Sequence, residues 1–386
     1  MVLGLAGAGL ARLLVVYFSP QAEGSGVQRV EAFYSGDIEP ATIAILPVKF
    51  FGGIAAIGCG LALGREGPTV QMGSSLAGLV SRFLLKRDDD SKLVDAAGAG
   101  AGLAVAFNAP MSGAIFVFEE LTSSFSQYLL VAATGAATIA VVVLRLVFGD
   151  QFDFVVKQVS PTTIWRMWPF AILGMLIGVV GALYNRIIIL LLRISDGNVK
   201  LNSVYRAAVI GAVIGITAWF EPTLVGGGDN LTTQGILSSS LTVRALAAIF
   251  VLRFFIGPFS YAAGAPGGLF APMLVLGASF GALFGQLMNR FDPSLGVSPL
   301  ACAVIGMGTL FSACVRAPLT GTVLTVEMTG RGDLTLGLLA ASMVAIVVAV
   351  WVESEPIYES LKRRTIEQQK TAKKRKTLVE HGVCTT

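Results

Sequence analysis

The chain has 386 residues, 54% of them hydrophobic and 13% charged, with a net charge of +4 and a mean hydropathy of +0.75. A soluble domain carries about 25% charged residues, so this chain has too few polar side chains for a water-facing surface, and the bilayer is its natural solvent. The single histidine, His381, stands in the C-terminal tail, which excludes histidine metal sites and Ser-His nucleophilic chemistry inside the membrane.

A spanning helix needs ~20 predominantly apolar residues. In chain order the predicted runs are 2–18, 41–63, 94–118, 128–148, 167–195, 204–219, 241–257, 264–289, 299–315 and 335–352. With 45 glycines and 15 prolines in the chain, several runs are interrupted, which predicts close-packed and broken helices. The expected fold class is therefore all-α and polytopic. Three glycine-rich stretches lead into predicted helix starts: GSGVQ at 24–28, GREGP at 64–68 and GGLFAP at 267–272. Pro68 and Pro272 suit the first turn of a helix, where no backbone donor is missed. Helix N-termini present unpaired N–H groups and about half a positive charge. Several such ends together suit a small anion without holding it as tightly as a lysine or arginine in low dielectric. Ser25 adds a hydroxyl at one of them.

Glu66 stands in GREGP at such a helix start. Its carboxylate is favoured by the same field that favours an anion, so it can occupy an anion site when ionised and leave it when protonated. The alternative is a capping carboxylate paired with Arg65; an intramembrane acid is otherwise a functional candidate. Glu119 and Glu120 end the next apolar run. The four cysteines, Cys59, Cys302, Cys314 and Cys384, have no paired spacing, and three lie in apolar runs as packing residues. GGGD at 226–229 resembles an aspartyl-protease motif. That chemistry needs a second aspartate, usually after tyrosine, and the chain contains no Tyr-Asp, so the stretch reads as an extramembrane glycine-rich turn. Residues 361–386 hold eight of the 28 lysines and arginines. They read as a solvated cytoplasmic tail under the positive-inside rule, with no nucleic-acid partner.

The chain repeats itself. NAPMSGAIFVFE (108–119) matches RAPLTGTVLTVE (316–327) at an offset of 208, and GAGAG (98–102) faces GMGTL (306–310) at the same offset. GREGPTVQMG (64–73) aligns with GLFAPMLVLG (268–277), and KFF (49–51) with RFF (253–255), at an offset of 204. Residues 1–360 are thus read as a single transmembrane domain of two halves, about 1–165 and 166–360. Repeats of this kind mark transporters with a site near the midplane, pointed to by matched broken segments, here those around Glu66 and Phe270. Glu119 has a repeat partner in Glu327, which predicts a shared capping or bracing role. Glu120 faces Met328 instead, so it is the better candidate for a task the symmetry does not require.

Together GSGVQ, LPVKFFGG (46–53), LGREGPTVQMG, AFNAPMSGAIFVFEE (106–120), GAPGGLFAPML (264–274), RAPLTG (316–321), VEMT (326–329) and PIYESL (356–361) resemble the CLC family of chloride channels and chloride/proton exchangers, most of all its bacterial exchangers. The resemblance implies an inverted-repeat membrane protein that exchanges chloride for protons as a homodimer, one pathway per subunit, in the cell's inner membrane with its C-terminus cytoplasmic. No cofactor, metal or enzymatic reaction is implied; chloride is the transported ligand. It further implies that Ser25 and Tyr358 give hydroxyls, and Leu269 and Phe270 backbone amides, to the central chloride. Glu66 would be the external gate and proton carrier. Glu120 would be the internal proton-transfer residue, a carboxylate characteristic of the exchangers. A passive chloride channel is the alternative, and a fluoride exporter fits Ser25 and Tyr358 less well. Two departures stand out. Gln28 replaces the proline that ends the family's first motif, which would soften that helix start or lend an amide to an anion. Met1 also falls later than the family's beginning, where members have a further spanning helix and part of another; a fragment or a misplaced start is expected, with loss of those helices as the alternative.

Overall fold

A computed structural model describes residues 1–84, 88–149, 152, 154–156, 167–197, 202–228, 232–238 and 241–380. The described residues form helices. The first half holds α1 (Val2–Phe18), α2 (Val27–Tyr34), α3 (Ile45–Gly58), α4 (Glu66–Leu84), α5 (Asp88–Ala106), α6 (Pro110–Phe116), continued by a π-helical turn at Val117–Leu121, and α7 (Gln127–Phe148). The second holds α8 (Trp168–Gly197), α9 (Ser203–Phe220), α10 (Gln234–Ser238), α11 (Val243–Tyr261), α12 (Phe270–Phe291), α13 (Pro299–Val315), α14 (Pro318–Thr329) and α15 (Thr335–Trp351), followed by the polar α16 (Ile357–Glu380). Among the described residues six helices are long and apolar enough to cross a membrane: α7, α8, α9, α11, α12 and the stretch Gly332–Trp351 that contains α15.

Several predicted runs are broken, each by an identifiable residue. The run 41–63 ends its helix at Gly58, and Gly60 turns the chain with φ +101°. The run 94–118 divides into α5 and α6 where Asn108 takes a left-handed φ of 49° ahead of Pro110. The same device recurs 208 residues on, where Arg316 at φ 74° precedes Pro318 and separates α13 from α14. A left-handed conformation at a non-glycine residue is uncommon, so its recurrence at matched positions marks the two halves as copies of one structure.

α12 and α13 form the centre. Every residue of α13 from Ala301 to Val315 is buried. α4 packs on α5 as α12 packs on α13, and these are the most extensive helix pairs. Glycines permit both approaches: a Cβ on Gly73 would strike the Gly98 carbonyl, and one on Gly277 would strike that of Gly306. Close backbone contact of this kind supplies the packing that a hydrophobic effect cannot supply between helices in lipid.

The halves also exchange caps. Glu119 accepts from the Leu319 and Thr320 amides at 3.0 and 2.6 Å at the start of α14. Glu327 accepts from the Met111 and Ser112 amides at 3.1 and 2.8 Å at the start of α6. Each carboxylate satisfies orphan N–H groups of the other half, so α6 and α14 run antiparallel about a local two-fold axis. The bracing role predicted for Glu119 and Glu327 is what these contacts provide.

Candidate functional site

Three glycine loops meet inside the protein. Gly267 N–H donates to Gly24 O at 3.1 Å, and Gly64 and Gly268 exchange backbone hydrogen bonds at 2.9 and 2.7 Å. The loops are the approaches to α2, α4 and α12, so these three helices start from one buried region. At the Ser/Thr starts of α7, α11 and α13, a hydroxyl from Ser126, Thr242 or Ser298 caps the first turn. The N-cap residues of α2 and α12, Gly26 and Leu269, offer no side-chain cap. The N–H groups and partial positive charge of these helix starts are directed at the meeting point.

The sequence-predicted residues gather there. Ser25, Glu66, Leu269, Phe270 and Tyr358 are all fully buried. A Cβ on Gly67 would collide with the Ser25 hydroxyl, so that glycine lets the α2 and α4 loops touch. The Glu66 carboxylate folds back over Gly64, where a Cβ would strike Oε2 and also meet Ala271 of α12. Arg65 is exposed and donates to Ala106 O at 3.0 Å. The Phe270 ring lies 5.7 Å from that of Tyr358, and also packs on Phe107, Phe116 and Phe311 at 6.1, 5.7 and 4.9 Å. The Ser25 and Tyr358 hydroxyls lie near one another, yet neither makes a well-formed hydrogen bond to a protein group. The Leu269 and Phe270 amides belong to the opening turn of α12 and donate to no carbonyl among the described residues. A patch of N–H and O–H donors ringed by aromatic carbon offers a small anion hydrogen bonds without a full positive charge within the patch.

Glu120 stands apart, half-buried on the π-helical turn, where Thr122 N–H reaches back to Val117 O at 3.0 Å. The matched stretch in the second half stays α-helical to Thr329. π-helical turns are rare and occur frequently at functional sites. The symmetry of the two halves is therefore broken beside Glu120, which faces Met328 in the repeat.

Two contributors were not singled out from the sequence. Lys49 is fully buried, and its ammonium donates to Gly24 O and Ser25 O at 2.6 and 3.0 Å, holding the loop that carries Ser25. Its repeat partner Arg253 does the same for the Gly226 loop, donating to Thr223 O and Val225 O at 2.8 and 3.0 Å. The GGGD stretch is thus tied to the protein body by a buried cation; its Asp229 lies outside the described residues, as do His381 and Cys384. The KFF/RFF match contained the signal: two cations preserved in apolar surroundings. Arg12 is the second contributor. It donates to Glu23 Oε2 and to Gly264 O at 2.8 and 2.9 Å, joining the approaches to two of the three loops.

A family model described as voltage gated chloride channel matches residues 7–350. The chain belongs to that family. Among the relatives of this CLC chain is the H(+)/Cl(-) exchange transporter ClcA of Vibrio cholerae, 38% identical over 364 residues covering 92% of this chain and 77% of the relative. The ClcA of Vibrio campbellii is 37% identical over 367 residues with the same coverage. The solved structure of a slow cyanobacterial Cl-/H+ antiporter superposes with a TM-score of 0.91 at 32% identity, covering 96% of this chain and 87% of that one. A CLC-type fluoride/proton antiporter, at 19% identity and a TM-score of 0.78, shares the fold.

This CLC chain departs from the family pattern at Gln28, and the replacement has a defined geometry. The side-chain oxygen accepts from Gly26 N–H at 3.1 Å and closes the loop on itself. Ser25 N–H in turn donates to the Tyr261 hydroxyl at 3.2 Å. The amide therefore stiffens the start of α2, contrary to the softening expected from loss of the proline.

Proposed function

We propose that the protein is a secondary active transporter that exchanges chloride for protons across a membrane. The carrying observation is the convergence of three helix starts, two of them with no cap from the N-cap side chain, on a buried patch that also holds Glu66. In this reading chloride is held by the Ser25 and Tyr358 hydroxyls and by the Leu269 and Phe270 amides. Glu66, folded over Gly64 at the junction of α4 and α12, competes with chloride for the same positive field when ionised. Protonated, it withdraws and carries its proton outward. Binding of one ion thereby excludes the other, which is the coupling that exchange requires. Glu120 delivers protons from the inner side.

The exchanger reading is favoured over a passive channel by the carboxylate at Glu120 and by the relatives, which bear the names of exchange transporters. The protein acts as a homodimer in the inner membrane with α16 on the cytoplasmic side, and each subunit works alone. The test is reconstitution in liposomes under a chloride gradient with external pH recorded. Chloride-driven proton movement against the proton gradient is expected. Chloride flux with no proton movement would reduce Glu66 to a gate and make the protein a channel.

A further inference from the structure

Ser25 and Tyr358 reach the same buried region from opposite ends of the chain, so the gap between their hydroxyls is set by whatever ties their segments together. Ser25 lies between Glu23 and Glu31, at the approach to α2, and Tyr358 stands in the first turn of α16. α16 packs on α2, and two cations of α16 hold the Ser25 segment at its two ends. Arg364 donates to Glu23 Oε1 at 3.1 Å. Lys362 donates to Glu31 Oε1 at 3.1 Å and to the Ser35 hydroxyl at 3.0 Å. Both cations stand within about two helical turns of Tyr358.

The Glu23 end is anchored further. Arg364 places its fork on both carboxylate oxygens of Asp196 in α8, at 2.7 and 2.8 Å. Glu23 also accepts from Arg12, which holds Gly264 O in the approach to α12. The side chains of Arg364 and Lys362 are only 20% and 15% exposed, so water screens these pairs less than it would on an open surface. A guanidinium shared between carboxylates gives geometric definition as well as energy. An anion held between two hydroxyls is selected by size only as far as those hydroxyls are kept at a fixed spacing.

We propose that Arg364 and Lys362 are positioning residues that fix the spacing of Ser25 and Tyr358, and so set how sharply the protein prefers chloride to a larger anion such as thiocyanate. This rests on the reading of Ser25 and Tyr358 as chloride ligands. With either ion pair cut, the Ser25 loop and the first turn of α16 give way to a wider anion at smaller cost. Neither cation touches the transported ion; each acts through the hydroxyl it places.

The test is the ratio of thiocyanate to chloride flux in liposomes for R364M, R364K, K362M, E23A, the E23A/R364M double variant, S25A and Y358F. Size-exclusion profiles and thermal unfolding in detergent report that each variant is folded. R364M and K362M are expected to raise the ratio about threefold or more, within the range by which residues remote from a ligand act. R364K keeps the charge but loses the fork, so it should recover part of the original ratio. E23A and R364M cut the same tie, so the double variant should change the ratio by less than the product of the two single changes. The full product would overturn that tie as their common action. A merely structural brace would lower both fluxes together and leave the ratio in place. An unchanged ratio in R364M and K362M, with S25A or Y358F shifting it, would thus overturn the positioning role alone. No shift in S25A and Y358F would overturn the chloride site, and the positioning role with it.

Discussion

Glu66 and its neighbours act as single residues, and each has a distinct expected defect. Glu66→Gln removes the charge that competes with chloride and the group that carries the proton. Proton flux should be abolished while chloride flux continues, and chloride-driven proton uptake that survives in this variant would sink the assignment. Glu120→Val should uncouple protons yet leave an anion flux that still responds to pH through Glu66; full coupling would return Glu120 to the status of an interfacial acid. Lys49 supports the site from behind. Lys49→Met leaves Gly24 O and Ser25 O without their buried donor, a loss of about 1–3 kcal/mol for an unsatisfied buried group. Chloride affinity by titration calorimetry should weaken by about tenfold or more, and an unaltered affinity would show that the loop holds itself. Gly67→Ala drives a methyl into the Ser25 hydroxyl, an overpacking of about 1–3 kcal/mol.

At the scale of elements, the antiparallel α6–α14 pair is held by two acids that reach across the repeat. Each satisfies two backbone N–H groups, so Glu119→Ala and Glu327→Ala should each cost about 1–2 kcal/mol, the range for a lost N-cap. Thermal unfolding in detergent should fall by similar amounts in the two variants. Unequal losses would mean that the π-helical turn after α6 has changed the role of Glu119. At that turn the first half departs from the α-helical second half, and it carries Glu120, which the repeat does not duplicate.

At the scale of the molecule, Ser25, Glu66, Phe270 and Tyr358 come from distant parts of one chain and are buried within it. In the proposed reading each subunit carries its own pathway. Light scattering in detergent should return twice the 40.3 kDa of one chain. Mixed dimers with one Glu66→Gln subunit should keep proton coupling in the other. Loss of coupling in both subunits would make the pathway a shared one.

Much of this was legible in the chain. Composition alone required a bilayer and helices, because 13% charge cannot solvate a surface. The matched NAP and RAP segments, and GREGP against GGLFAP, marked the repeat and the broken helices, because glycine, proline and a capping acid have local conformational meanings. Ser25, Glu66, Phe270 and Tyr358 were each recognisable by motif. What a one-dimensional pattern does not contain is which loop faces which. The backbone exchange between Gly64 and Gly268, the reach of Lys49 to Gly24 and Ser25, and the fold of Glu66 over Gly64 join residues more than twenty positions apart, or set a rotamer. The π-helical turn at Glu120 was equally hidden, since its sequence suits an α-helix and its mate is one. The tertiary structure decided these points because a buried polar group takes whatever partner packing brings within reach, and packing is a property of the whole chain.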